Sequence, residues 1–313
     1  MKRLVVIAGA TALVLAGCAG GAHSGGSVDT GDAGPSAAPS ATRTHTQRPA
    51  SPTPGDTGSS EPTGTTSQQP SPQGTLTLEV WLDVHGERLS LVHRTVPATQ
   101  AVGTASLEAL LEGPTDEDIA QGIGTEVPPG TELLGLSITD GVATVNLSTD
   151  FFSGGSAVSE WIRLGQVVFT ISQFGSVDGG VEIHLDGDPI RPFDIDGNFL
   201  DRPWVREDFE GIVPAIVVES PIAGQDVGSP VEIAGTADVF EATVSLRLLD
   251  ENGDQIASGF TTATCGTGCR GTFEATLAYH VDHEQQGTVE AFEASAEDGH
   301  PLNVVDVPVI LTA

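Results

Sequence analysis

The sequence predicts an α+β domain followed by an all-β sandwich, both carried behind a disordered N-terminal tether. Three observations support that prediction. Between Thr75 and Gly187, strand-like alternation gives way twice to helical spacing, in the order ββαββαβ. Between Ala215 and Leu311, seven short alternating stretches follow one another with turn residues between them. Ahead of Thr75, large apolar residues almost vanish, and glycine, serine, threonine and proline replace them.

The chain opens with Lys2 and Arg3, then an apolar run from Leu4 to Leu15 broken only by small residues. That run is too short to span a bilayer core of ~30 Å. It has the layout of a secretory signal: a basic start, an apolar middle and small residues at the cut. The sequence at the cut, Leu15-Ala16-Gly17-Cys18, resembles the bacterial lipoprotein signal. The resemblance implies removal of residues 1–17 and attachment of lipid, with acyl chains such as palmitate, to Cys18. Each buried methylene then adds about 0.8 kcal/mol of membrane affinity. Residues 18–73 are expected to be a disordered linker, because they cannot bury enough surface to offset chain entropy. A flexible coil of roughly 55 residues reaches ~40 Å, enough to hold a folded part off the membrane.

Charge narrows the function. The 313 residues carry 43 acidic and 12 basic side chains, a formal charge of −31, and Lys2 is the only lysine. Nucleic-acid binding depends on Lys and Arg neutralising phosphates, so this balance argues against it. It argues equally against an electrostatic grip on anionic lipid headgroups. Self-repulsion that favours solubility is the simplest reading, and attraction for cations or a basic partner is the functional alternative.

The first domain is expected over 74–190. Leu76, Leu78, Val80 and Leu82 alternate in a strand, and Arg88 to Val96 gives the next after Gly86. Thr99 to Glu112 reads as a helix with Leu107, Leu110 and Leu111 on one face, capped by Gly113 and ended by Pro114. Asp140-Gly141 is a type I′ turn dipeptide. It pairs Thr139 with Val142 and sets Ile138, Leu136 and Leu134 opposite Ala143, Val145 and Leu147 on one apolar face. Ala157 to Phe174 is expected as an amphipathic helix, with Trp161, Leu164, Val168 and Ile171 at helical spacing and Gly175 as its cap. Val181, Ile183 and Leu185 close the domain as a strand ending at Asp186-Gly187. This order suggests helices packed on one face of a small sheet.

These residues resemble the GerM-type domain of sporulation and spore-germination proteins. The resemblance rests on Leu110-Leu111-x-Gly113-Pro114, Pro129-Gly130-Thr131, the Asp140-Gly141 hairpin with Val145-Asn146-Leu147-Ser148, Gln166-Val167-Val168-x-Thr170 with Phe174, and Asp186-Gly187, in the family's order and spacing. It implies a non-catalytic role in assembling envelope complexes, on a fold similar to ring-building domains of secretion-like machines.

Asp188 to Glu210 is acidic and irregular, and residues 191–211 are expected to connect the two domains. Over 212–313, seven strands spaced by Ser220-Pro221, Asn252-Gly253 and Asp298-Gly299 give the pattern of an immunoglobulin-like sandwich. The Cys–Trp–Cys spacing of antibody domains is absent. This half resembles the Gmad-type immunoglobulin-like domain that accompanies the GerM-type domain in some bacterial proteins. The matching residues are Ser220-Pro221, Val231-x-Ile233-x-Gly235-x-Ala237, Gly271-x-Phe273, Val289-x-Ala291-Phe292-Glu293-Ala294-Ser295 and Asp298-Gly299.

Cys265 and Cys269 are expected to form a disulfide across a short hairpin loop, as suits an exported chain. Asp194-x-Asp196-x-Asn198 begins like a calcium loop, but Gly197 stands at the fourth position and Val205 where the bidentate Glu belongs, leaving weak calcium binding as the lesser reading. Asp250-x-Asn252-x-Asp254 fails in the same way. His280 and His283 lack the further ligands that would complete a zinc site. No G-x-S-x-G elbow occurs, and no pair of carboxylates stands out for glycoside hydrolysis. No catalytic residue, metal or cofactor is assigned.

The expectation is a lipoprotein on the extracytoplasmic face of the cell membrane, acting as a scaffold for envelope proteins or cell-wall components and linked to sporulation or germination. The alternative is a regulator or enzyme of cell-wall metabolism, or a small-ligand sensor using the cleft between the domains.

Overall fold

The computed structural model describes residues 74–313, which belong to one compact unit. The signal sequence, Cys18 and the linker lie outside the described residues. The first half is α+β and the second all β, as the alternation patterns predict.

The first domain begins with a long hairpin, β1 (Thr75–Val84) and β2 (Arg88–Pro97), turned by His85 and Gly86 at positive φ. Helix α1 (Val102–Glu112) follows, three residues shorter at its start than its apolar spacing suggests. It stops at Gly113, where φ is 79° and ψ is −163°, a conformation open to glycine alone. The next two elements leave no mark in the apolar pattern. The short helix α2 (Asp116–Ala120) is opened by a capping box in which the Thr115 hydroxyl accepts from the Asp118 N–H. Strand β3 (Ile123–Gly124) then pairs with the end of β1.

The hairpin β4 (Leu133–Thr139) and β5 (Val142–Leu147) turns on Asp140 and Gly141, both at positive φ. Its register holds as expected near the turn, with Ile138 opposite Ala143 and Leu136 opposite Val145. It departs farther out: Leu147 faces Leu133, not Leu134. A bulge between Leu133 and Gly135 adds one residue to β4 and turns the Leu134 side chain to solvent, 45% exposed. Five of the six apolar residues share the inner face, and the sixth leaves it.

Helix α3 (Ala157–Ile171) starts at Ser156, whose hydroxyl accepts from the Ser159 N–H, and ends before the expected Phe174. It was expected to bury one face. Instead every residue from Trp161 to Ile171 is buried, because protein surrounds the helix on all sides. Strand β6 (Gly180–Leu185) returns parallel to β5, so β5-α3-β6 is a crossover unit. The short β7 (Asp188–Pro189) closes a sheet of order β4-β5-β6-β7.

The domain's strands therefore divide between two sheets, since β2-β1-β3 stands apart from β4-β5-β6-β7. A polar stripe along α3 and the turn that follows it makes this division possible. Gln166, Thr170 and Gln173 recur at helical spacing and face the edge of β1. Gln173 accepts from the Glu79 N–H and donates to its carbonyl, the Thr170 hydroxyl accepts from the Trp81 N–H, and Gln166 donates to the Trp81 carbonyl. Backbone groups that a neighbouring strand would satisfy are satisfied by helix side chains.

The stretch read as an irregular connector does join the two halves, but it is folded. Trp204 and Phe209 are fully buried; Phe209 stacks on Trp161 at 4.3 Å between ring centroids, and Trp204 meets Phe193 edge-on at 5.7 Å. Phe193, Trp204 and Phe209 turn inward while Phe199 stays outside, 61% exposed, among mostly solvent-facing acids, so composition alone hides the packing.

The second domain is a sandwich. One sheet holds β8 (Ile216–Ser220), β10 (Val231–Ala237) and β13 (Gly271–Leu277), in the order β13-β10-β8. The other runs β12-β11-β14-β15-β9, from β9 (Asp226–Val227), β11 (Thr243–Leu249), β12 (Gln255–Thr262), β14 (Gln285–Ala294) and β15 (Pro301–Leu311). Seven strands match the alternating stretches, and β9, two residues long, escapes them. Val244, Leu246, Leu248, Val289, Ala291 and Val309 point inward against Ile233 and Phe273. Gly235 sits at a register shift between β10 and β8, where a Cβ would lie 2.0 Å from the Val217 carbonyl oxygen. Only glycine fits so close an approach.

Candidate interaction surfaces

The residues that first suggested a function turn out to hold the fold together. Gly113 ends α1, and Asp140-Gly141 and Asp186-Gly187 are turns at positive φ. Gln166 and Thr170 close the edge of β1. Asp194 is an acceptor within its own loop: one oxygen takes the N–H groups of Asp196 and Asn198, and the Asn198 amide and these backbone donors hold the carboxyl below its usual range. Asp250 does the same for Asn252 and Asp254, in a five-residue loop between β11 and β12. His280 and His283 are exposed beside Asp282 and Glu251. Cys265 and Cys269 are joined as a disulfide with Cα atoms 5.7 Å apart, closing the loop between β12 and β13. Among the described residues, no three His, Cys, Asp or Glu side chains are grouped to hold a metal ion. No helix there is long and apolar enough to cross a membrane.

What the sequence did not reveal is the junction. Ile212, Val213 and Val217 belong to the apolar core of the first domain, although Val217 lies on the first strand of the sandwich. Arg206 lies over the Phe169 ring at 4.9 Å and donates to the Phe169 carbonyl at 2.9 Å. Burial pushes the carboxyls of Glu79 and Glu219 upward; the charge of Glu219 raises Glu79 further, Arg206 restrains both, and Arg270 also restrains Glu219. Glu79 belongs to the first domain and Glu219 to the sandwich, so Arg206 is a cation shared by both. Beside it Arg270 donates to Glu210 at 2.9 Å and to the Pro214 carbonyl at 2.8 Å. Filled by these side chains, the junction is a packed seam.

The other arginines, apart from the exposed Arg88, are also engaged. Of the eight in residues 74–313, Arg94, Arg191, Arg202, Arg247 and Arg270 pair with Asp118, Asp201, Asp208, Glu290 and Glu210. Arg163 is buried and donates to the carbonyls of Phe151 and Gly154. Asp118 shows the effect of such pairing: burial opposes its ionisation, but the Thr115 N–H and hydroxyl together with Arg94 hold its carboxyl below the usual range. With 39 carboxylates in the same span, the surface presents almost only negative charge.

Two apolar features interrupt that surface. On the outer face of the five-stranded sheet, Phe260 (74% exposed) and Phe292 flank Ser245, with Arg247 5.2 Å from the Phe292 ring, around an open groove of about 520 Å³. On the first domain, a groove of about 400 Å³ runs between β4 and the start of α1, lined by Val102, Gly103, Leu136, Ile138 and Phe174.

Residues 80–191 match the family model described as sporulation and spore germination, Germane, and residues 215–300 match that of the immunoglobulin-like domain of bacterial spore germination, Gmad2. No curated protein matches the chain. Among solved structures, a Clostridium perfringens protein described as a lipoprotein is 21% identical, covering 44% of this chain and 93% of its own, with a TM-score of 0.30. The tandem GerMN domains of the sporulation protein GerM from Bacillus subtilis are 17% identical, with 76% of this chain and 60% of that one covered and a TM-score of 0.37. The first GerMN domain alone is 23% identical, with 42% and 99% covered and a TM-score of 0.34. The chain thus carries a Germane domain of sporulation and spore germination over 80–191 and a Gmad2 immunoglobulin-like domain of bacterial spore germination over 215–300.

Proposed function

We propose that the protein is an extracytoplasmic lipoprotein, held on the cell membrane through Cys18, whose two domains act as a non-catalytic scaffold for envelope components in sporulation or germination. The observation that carries this reading is the joined pair of domains. Seven of the eight arginines in residues 74–313 are engaged internally, while grooves edged by apolar side chains remain open on an anionic surface. Such a body carries its docking faces on one compact unit. The Leu15-Ala16-Gly17-Cys18 signal supports the anchor, and the two family matches support the setting.

Crosslinking in intact cells, followed by identification of the captured proteins, tests the scaffold. Discrete envelope partners are expected, and recovery of the uncrosslinked monomer alone overturns it. Cys18→Ser tests the anchor separately: the protein should leave the membrane fraction, and retention there refutes lipid attachment at this residue.

A further inference from the structure

Strand β4 is an open edge of its sheet, with only β5 beside it. The type I′ turn fixes which backbone groups are free. Thr139 and Val142 form the hydrogen-bonded pair next to the turn, so Ser137 and Gly135 bond inward to β5 while the N–H and C=O of Leu136 and Ile138 point outward. No partner meets those outward groups among the described residues. Edge strands are normally guarded by a charge, a proline or a bulge. Here the bulge at Leu134 guards one end only, and Gly135 to Thr139 carries neither charge nor proline. Ile138 is 40% exposed and Leu134 45%. The groove beside α1 borders this strand, where Leu136, Ile138 and Phe174 line it together with the polar Gln100, Thr104 and Ser137.

The charge around the strand selects the partner. From Thr95 to Ile162 the chain holds ten carboxylates and no lysine, arginine or histidine. Glu132 and Asp140, both exposed, stand at the two ends of β4. A second copy of this edge would bring like charges together. An extended segment rich in lysine or arginine would bring opposite charges to both ends.

We propose that the edge of β4 docks an extended, basic segment of a partner protein, which adds as a fifth strand and lays its apolar side chains into the groove between β4 and α1. This deepens the scaffold reading and rests on it. Its test is independent of whether crosslinking finds partners elsewhere on the molecule.

Full-length protein in detergent is titrated with a short synthetic peptide alternating valine and lysine. A valine–glutamate counterpart and a lysine peptide N-methylated at alternate residues serve as comparisons. The lysine peptide is expected to bind at least about tenfold tighter than the glutamate peptide, and to weaken as salt rises. N-methylation, which removes the strand's donors, should abolish binding. Ile138→Pro removes an outward N–H without touching the ladder to β5, and should abolish binding as well. Should that variant fold poorly, Ile138→Lys, at an exposed position, decides the matter by the same loss with unchanged melting. Equal binding of the methylated peptide, equal binding of both charge types, or full binding by Ile138→Lys overturns the proposal. So does a dimer that Ile138→Lys dissolves, because the edge would then belong to a second copy.

Discussion

Replacing Gln166 by leucine puts an apolar residue into the middle of an apolar helix, and burial alone predicts a gain. The opposite is expected. Gln166 is fully buried, its amide donating to the Trp81 carbonyl at 3.2 Å and its oxygen accepting from the Glu126 N–H at 3.0 Å. Leucine strands both backbone groups, at about 1–3 kcal/mol each. At the middle of that range the two cost about 4 kcal/mol, and the added apolar burial returns at most about 2 kcal/mol, so a net loss of at least about 2 kcal/mol is expected. That is a large share of the ~5–15 kcal/mol that holds a domain folded. Urea unfolding followed by tryptophan fluorescence reads it cleanly, because Trp81, Trp161 and Trp204 all lie in or against the first domain's core. Thr170→Val, which strands the Trp81 N–H alone, should lose less. If Gln166→Leu is as stable as the parent or more so, the helix is not what closes the edge of β1.

Other substitutions probe the remaining devices. Glu79 and Glu219 titrate above their ordinary value of 4.5 because of burial, so the folded chain takes up their protons before the unfolded chain does. Their contribution is full below 4.5 and lost as pH rises through the elevated folded values; a Glu79→Gln, Glu219→Gln double variant should flatten that part of the stability profile. Asp118 has the opposite sign: its contribution is present above 3.8 and lost as pH falls through its depressed folded value, a loss that Asp118→Asn should remove. Gly235→Ala drives a methyl group into the Val217 carbonyl and should cost the sandwich about 2–3 kcal/mol, read by amide hydrogen exchange on β8 and β10. Cys265→Ser with Cys269→Ser opens a small loop and should lower sandwich stability by about 2 kcal/mol in thermal melts, and an unchanged melt would refute that.

Local chemistry was legible in the sequence, and long-range satisfaction of polar groups was not. Asp140-Gly141 fixed its turn, and the seven alternating stretches of the sandwich were visible, because turn and strand signals act within a few residues. Gln166 and Thr170 could be recognised as a pattern but not explained, since their partners Trp81 and Glu126 lie some forty to ninety residues away. Leu134 obeyed the alternation on paper and left the core because Gly135 permits a bulge. Arg206 read as one charge in an acidic connector. Its meaning depends on Phe169 and Glu219, which only the folded chain brings to it. The sequence offered the turns as candidate signatures, whereas the open grooves lie on the faces those turns support.

The shared cation at Arg206 and the clasp of Arg270 on Glu210 have a consequence for anything that binds two faces at once. A hinged pair of modules explores many separations, and a second contact forms at a concentration set by chance encounter. With the seam packed, the edge of β4 and the Phe260 face belong to one compact unit, which narrows the separations they can take. A partner carrying two matching sites meets the second already in place, and one whose sites are spaced differently gains nothing from the second. Were both faces to dock one partner, the protein would discriminate by length as well as by chemistry, as a gauge does.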